Sequence, residues 1–226
     1  MRIVLATIAA LLAGCASAPQ PSVALGQDTL GAKSGRIGVA MTSVPKTDTQ
    51  LLGAGCLLCM ATASIANSSL TSHAHHLTAE DLPKLKNYVA DLMRKKGTEV
   101  TLIEESINLD ALPANSSKGQ NIAKKDFSSL QAKYGVDKLL VINITALGFM
   151  RTYSAYIPTS DPKGFLEGTG YLVNLKTNTY EWYLPVTVSK ASDGAWDEPP
   201  EFPGLTNAYF QALEIGKDSF TQPFKD

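Results

Sequence analysis

Cys56-Leu57-Leu58-Cys59 is the pair in this 226-residue chain best suited by type and spacing to chemistry. At i, i+3 on a helix the two sulfurs share a face, and the Cα separation permits a disulfide. A helix N-terminus at Cys56 would lower the pKa of its thiol and activate it for thiol-disulfide exchange. The flanks weigh the other way. Gly53 to Ala66 carries no charge and reads as buried, whereas a reactive thiol needs exposure. Three readings stay open: a structural disulfide, which the flanks favour, two buried free thiols, or a redox pair.

His73-Ala74-His75-His76 holds all three histidines. His73 and His76 share a helical face, but two imidazoles without a third ligand make a weak metal site. Adding Cys56 and Cys59 gives a zinc-like ligand set. Its His-x2-His spacing is one short of the usual range, and oxidation would remove the thiolates. A polar loop is the expected role, with no metal and no cofactor.

Asp193, Asp197, Glu198 and Glu201 fall in or beside a Pro-rich run, Trp196 to Gly204. Acid-base work needs one carboxyl with a raised pKa in a cleft. A solvated loop fits this composition better. The same run, with Trp196 and Phe202, suits an extended partner-binding surface. Tyr153, Tyr156, Tyr171, Tyr180, Trp182 and Tyr183 suit stacking on sugar rings, although such residues more often pair across strands. There is no GxSxG, no HExxH and no phosphate-cradling glycine loop. Catalysis is not expected.

A third cysteine addresses the chain. Arg2 precedes the apolar stretch Ile3 to Leu12, which is too short to span a bilayer and has the shape of a secretory signal. It runs into Leu12-Ala13-Gly14-Cys15, which resembles the lipobox of bacterial lipoproteins. The resemblance implies cleavage before Cys15, a diacylglycerol thioether on its sulfur and an acylated amine. Several acyl chains give stable attachment where one alone is marginal. Ala16, in place of Asp, implies export to the outer membrane, facing the periplasm. Residues 1–14 are then signal peptide, 15–35 the lipidated N-terminus and a flexible tether, and 36–226 one domain. Cys56 and Cys59 remain as an even pair in an oxidising compartment.

Net charge is −1 and 44% of residues are hydrophobic. This is globular composition, with no electrostatic footprint for nucleic acid.

The elements follow from period and punctuation. Arg36 to Met41 reads as a strand, and Leu51 to Ala66 as a buried helix. Thr78 caps a helix whose stripe is Leu82, Leu85, Val89, Leu92 and Met93, closed by Gly97. Glu99 to Ile103 is a strand, and Asp126 caps a short helix ending at Gly135. Asp137 to Ile144 reads as a central strand covered on both faces. Antiparallel segments at 149–157, 165–175 and 179–190 follow, the last two joined by the hairpin link Lys176-Thr177-Asn178. A final helix runs from about Leu205 to Phe220. The expected fold is α/β (α+β): a mixed sheet of about five strands with a three-strand antiparallel part and helices packed on it.

Arg36-Ile37-Gly38-Val39, Tyr134 to Val141 and the hairpin Tyr171 to Trp182 resemble the periplasmic α/β domain of curli-secretion-type lipoproteins and the amino-terminal domain of the Tol-system propeller protein. Asn174 and Asn178 depart from the Asp and Gly common there. No pore-forming strand pair is evident, so secretion-pore activity is not carried over. The leading expectation is a non-enzymatic assembly or accessory module of a cell-envelope complex, with envelope proteins or further copies of itself as partners. The alternatives are a thiol-disulfide or metal-handling protein using Cys56, Cys59 and the histidines, and a glycan or small-ligand binder using the sheet aromatics.

Overall fold

The structure is a computed structural model that describes residues 19–225. The signal segment and Cys15 lie outside the described residues.

Strand β1 (Ile37–Met41) is buried at every position and lies between β3 (Val100–Leu102) and β4 (Lys138–Ser154), parallel to both. Strand β2 (Asp48–Leu52) continues along the same side of β4, also parallel. The other side of β4 pairs antiparallel with β6 (Lys163–Asn174), and β6 with β7 (Thr179–Ala191). A short β5 (Ile157–Pro158) folds back on the end of β4. Among the described residues this gives a seven-stranded mixed sheet of order β3-β1-β4-β6-β7, with β2 and β5 on the outer half of β4. The expected class is therefore present, with two more strands than anticipated.

Two expected strands, 137–144 and 149–157, are one. β4 runs through both and shifts register between Ile144 and Ala146. Leu140, Ile142 and Ile144 face one core, and past the bulge Leu147 and Phe149 face the same core. One extra residue reverses the parity of the side chains without breaking the strand. Gly148 sits beside the bulge at φ 133°, where a Cβ would lie 2.0 Å from the Asp48 carbonyl oxygen. Glycine therefore lets β2 close on β4.

The sheet is covered on both faces. On one lie α2 (Ser68–Ala74), α3 (Leu85–Lys95) and α5 (Pro203–Thr221), through residues such as Leu70, Val89, Met93, Leu205 and Tyr209. On the other, α4 (Ser129–Tyr134) and the segment from Ile103 to Phe127 cover Leu139, Val141, Tyr171 and Val173. The α3 helix begins at Leu85 after a 3-10 turn at Leu82–Lys84. Thr78 therefore does not cap it: Pro83, at the head of that stretch, has no N–H to donate. Gly97 follows the helix at φ 80°.

The hairpin link is as expected, and its asparagine has a further role. Asn178 adopts φ 57° and is 8% exposed. Its Oδ1 accepts the Phe127 N–H at 3.1 Å, and its Nδ2 donates to the Lys125 carbonyl at 3.1 Å. Asparagine tolerates the left-handed turn and also pins the covering segment, which glycine could not do. The segment expected as a tether joins the fold early. Val23 bridges Tyr183 on β7, and Leu25 and Leu30 pack against the core.

Candidate functional site

The expected buried helix over Leu51 to Ala66 is not what forms. Leu51 and Leu52 end β2, and Gly53 turns the chain at φ 88°. A Cβ there would lie 2.1 Å from the Tyr153 carbonyl oxygen. The chain then enters α1 (Leu57–Ala66), which buries only Cys59 and Ala63. These rest with Ala54 and Leu51 on Tyr153. The remaining faces of α1 are in solvent: Leu57 is 88% exposed, Leu58 78% and Ile65 76%. Leu52 and Met60 are exposed as well, and so are Tyr156 (64%) and Ile157 (58%) at the β4–β5 tip. Apolar composition signals burial, but the surface on which α1 rests is small, made of Leu51, Ala54 and Tyr153.

Cys56 and Cys59 form a disulfide, with Cα atoms 4.9 Å apart. Cys56 is the N-cap of α1, and its Sγ accepts the Cys59 N–H at 2.9 Å. Cys56 is exposed and Cys59 is buried. With both sulfurs bonded to each other, neither is available as a zinc ligand, and the joint cysteine-histidine set does not assemble.

The three histidines serve three different contacts. His73 stacks on Phe149 at 6.1 Å, contacts Phe202 at 5.5 Å and bonds Thr206 Oγ1 through Nε2 at 2.7 Å. Burial pushes its pKa below the ordinary imidazole value; Glu201 opposes this and His76 adds to it. His75 Nε2 meets Asp48 Oδ1 at 3.0 Å, and His76 Nδ1 turns back to the Ser72 carbonyl at 2.7 Å. Among the described residues, no group of three or more His, Cys, Asp or Glu side chains is placed to hold a metal ion.

Trp196 and Phe202 stack on each other, centroids 6.2 Å apart and 7° from parallel, and both pack against the core. The Arg151 guanidinium lies 5.0 Å from the Trp196 ring. Its Nη1 donates to Asn67 Oδ1 at 3.2 Å, and Asn67 in turn bonds the Tyr153 hydroxyl. A polar and aromatic relay thus joins the Pro-rich loop to the base of α1. No sequence signal announced it, since its members are brought together only by tertiary structure. Asp193, Asp197, Glu198 and Glu201 are exposed around this loop.

Most of the sheet aromatics are structural. Tyr171, Tyr180 and Tyr183 form a cluster with centroid spacings of 5.0 to 6.1 Å under the covering segment. Burial pushes the Tyr180 hydroxyl up to about 12. Trp182 is buried against Phe224, which leaves Tyr156 as the freely exposed ring of the group. A polar cavity of about 400 Å³ is lined by Thr42, Ser43, Asn108, Asp110 and Asn143. It holds one carboxylate, Asp110, and the hydroxyls of Thr42, Ser43 and Ser106.

No family model and no curated protein matches the sequence. Solved structures are similar to its structure. One is protein XCC0632 from Xanthomonas campestris, of family DUF330: 13% identity, 89% of this chain and 87% of that one, TM-score 0.41. A PelC dodecamer from Paraburkholderia phytofirmans is similar at 9% identity, over 92% and 94% of the chains, TM-score 0.33. Lipoprotein GNA1162 from Neisseria meningitidis is similar at 14% identity, over 80% and 94%, TM-score 0.28. Likeness at this level carries no argument about function. Among the described residues no helix is long and apolar enough to cross a membrane.

Proposed function

We propose that this chain is an outer-membrane lipoprotein, held by acyl chains on Cys15 and facing the periplasm, whose α/β domain is a non-enzymatic assembly or accessory module of an envelope complex. One observation carries the modular part of this reading. The domain ends in an uncharged apolar surface that its own fold leaves uncovered: Leu52, Leu57, Leu58, Met60, Ile65, Tyr156 and Ile157. Large apolar patches on a folded domain mark interaction sites. The anchor rests on the Leu12 to Cys15 sequence. Metabolic labelling with a fatty acid, followed by membrane fractionation, tests it. Label incorporation that disappears in Cys15→Ser is the expected result. Unlabelled chain in the soluble fraction would sink the anchor.

A second reading is favoured by the exposed Cys56 at a helix N-cap with Cys59 buried behind it. In this reading a client dithiol transfers two electrons to the Cys56–Cys59 disulfide and leaves as a disulfide, and both cysteines become thiols. Incubating the purified chain with a dithiol peptide and titrating the thiols tests it. Failure of the pair to exchange under conditions that reduce an accessible disulfide removes this reading.

A further inference from the structure

We infer that the uncharged end of the domain is an interface between copies of this chain. The inference rests on the proposed anchor at Cys15 and names the partner of the surface described above.

The first argument is size. Seven large apolar side chains at this end expose on the order of 800 Å², which is the share each partner gives to an interface of standard size.

The second argument is charge. From Thr49 to Ala79 the chain has no Asp, Glu, Lys or Arg, and the β4–β5 tip from Thr152 to Ser160 has none either. A twofold contact places the same surface on both partners. At the axis of such a contact a charge would meet its own copy, and this face avoids that cost. The same lack of charge counts against lipid. Helices that lie in a membrane surface carry Lys and Arg on their polar side, and α1 has neither.

The third argument is reach. Seven residues separate Cys15 from Val23, which is fixed to Tyr183. Fully extended they span about 25 Å. Tyr183 pairs with Tyr171, and Tyr171 with Val141. Tyr153, under α1, is twelve residues farther along β4, about 40 Å at the rise of a strand. If β4 stands off the membrane, the apolar end lies away from the lipid that holds Cys15, and a second copy of the same surface then satisfies both size and charge.

The test uses the full chain in its own envelope. A photo-crosslinking residue replaces Leu58 or Ile65, with Tyr88 on α3 as an exposed control, and two differently tagged copies are expressed together. Crosslinked species carrying both tags are expected from positions 58 and 65 and not from 88. Leu57→Asp should lower the yield from position 65 at least tenfold while the domain keeps its protease resistance. If that variant accumulates poorly, Ile65→Asp with the crosslinker at 58 gives the same readout. Adducts with lipid alone, adducts with other proteins alone, or none at 58 and 65 overturn the inference. Lipidation is read on the same material. An unlipidated Cys15 with persistent two-tag adducts defeats the anchor and not the interface. A lipidated Cys15 without such adducts does the reverse.

Discussion

Asn67 bonds the hydroxyl of Tyr153, 86 positions away, where the α1–α2 junction crosses the outer half of β4. Asn67 is 2% exposed and uses all of its side chain. Nδ2 also donates to the Ala63 carbonyl at 2.7 Å, and Oδ1 accepts from Arg151. Replacing it by alanine strands a buried hydroxyl and a guanidinium edge. Asn67→Ala should cost roughly 2 to 3 kcal/mol, and Tyr153→Phe about 1, because the phenylalanine leaves the Ala63 bond in place. Denaturant unfolding measures both. An Asn67→Ala cost no larger than that of an exposed substitution would mean this joint does not hold α1.

The disulfide should matter locally. It closes a ring of only four residues, and in the chain-entropy account short rings gain least, here about 2 kcal/mol or less. The double substitution Cys56→Ser, Cys59→Ser should therefore leave the sheet folded. Because α1 buries so little else, its amides should lose hydrogen-exchange protection first. Equal loss of protection in β4 and β6 would show instead that the bond supports the whole domain.

His73 should make stability depend on pH in one direction. Burial lowers its folded pKa below the ordinary imidazole value. The folded state then favours the neutral ring. Its contribution is fully present above the unfolded pKa of about 6.5 and is lost as pH falls through the lower folded value. Thermal unfolding temperature should drop between pH 7.5 and 5 in the native chain. His73→Gln, which keeps a hydrogen-bonding group facing Thr206, should flatten that part of the profile. A profile unchanged by the substitution would assign the pH dependence to other groups.

Local period made much of this fold legible. The stripe of α3, the extent of α5 and the Asn178 turn all follow from residues within one helix or one hairpin. The β4 bulge was not legible, because one inserted residue makes a continuous strand look like two out-of-phase segments. Nor was the exposure of α1. Composition reports how apolar a segment is, and says nothing about whether the fold supplies a neighbour for it. The relay from Tyr153 through Asn67 and Arg151 to Trp196 joins residues far apart in sequence, so no window of sequence contains it. Cys56 and Cys59 were singled out by spacing, but their placement as an exposed N-cap and a buried second residue came only from the fold.

Trp196 and Phe202 offer a final test, because holding the fold and waiting for a partner have different energetic signatures. Phe202 adopts φ 54°, ψ 55°, a conformation that costs a non-glycine residue roughly 1 kcal/mol or more. Its ring lies between Trp196 and His73, and these contacts offset that strain. Trp196 in turn covers the face of Arg151. Trp196→Ala and Phe202→Ala should each destabilise the free chain by about 1 to 2 kcal/mol. Once one ring is gone, the other has lost its stacking partner. The double variant should therefore cost less than the two singles together, by on the order of 1 kcal/mol. Residues kept only for docking would behave as surface positions, within about 0.5 kcal/mol of the native chain and additive. Denaturant unfolding of the four chains separates the two cases, and coupling between the rings would assign them to closing the Pro-rich loop onto α5 and β4.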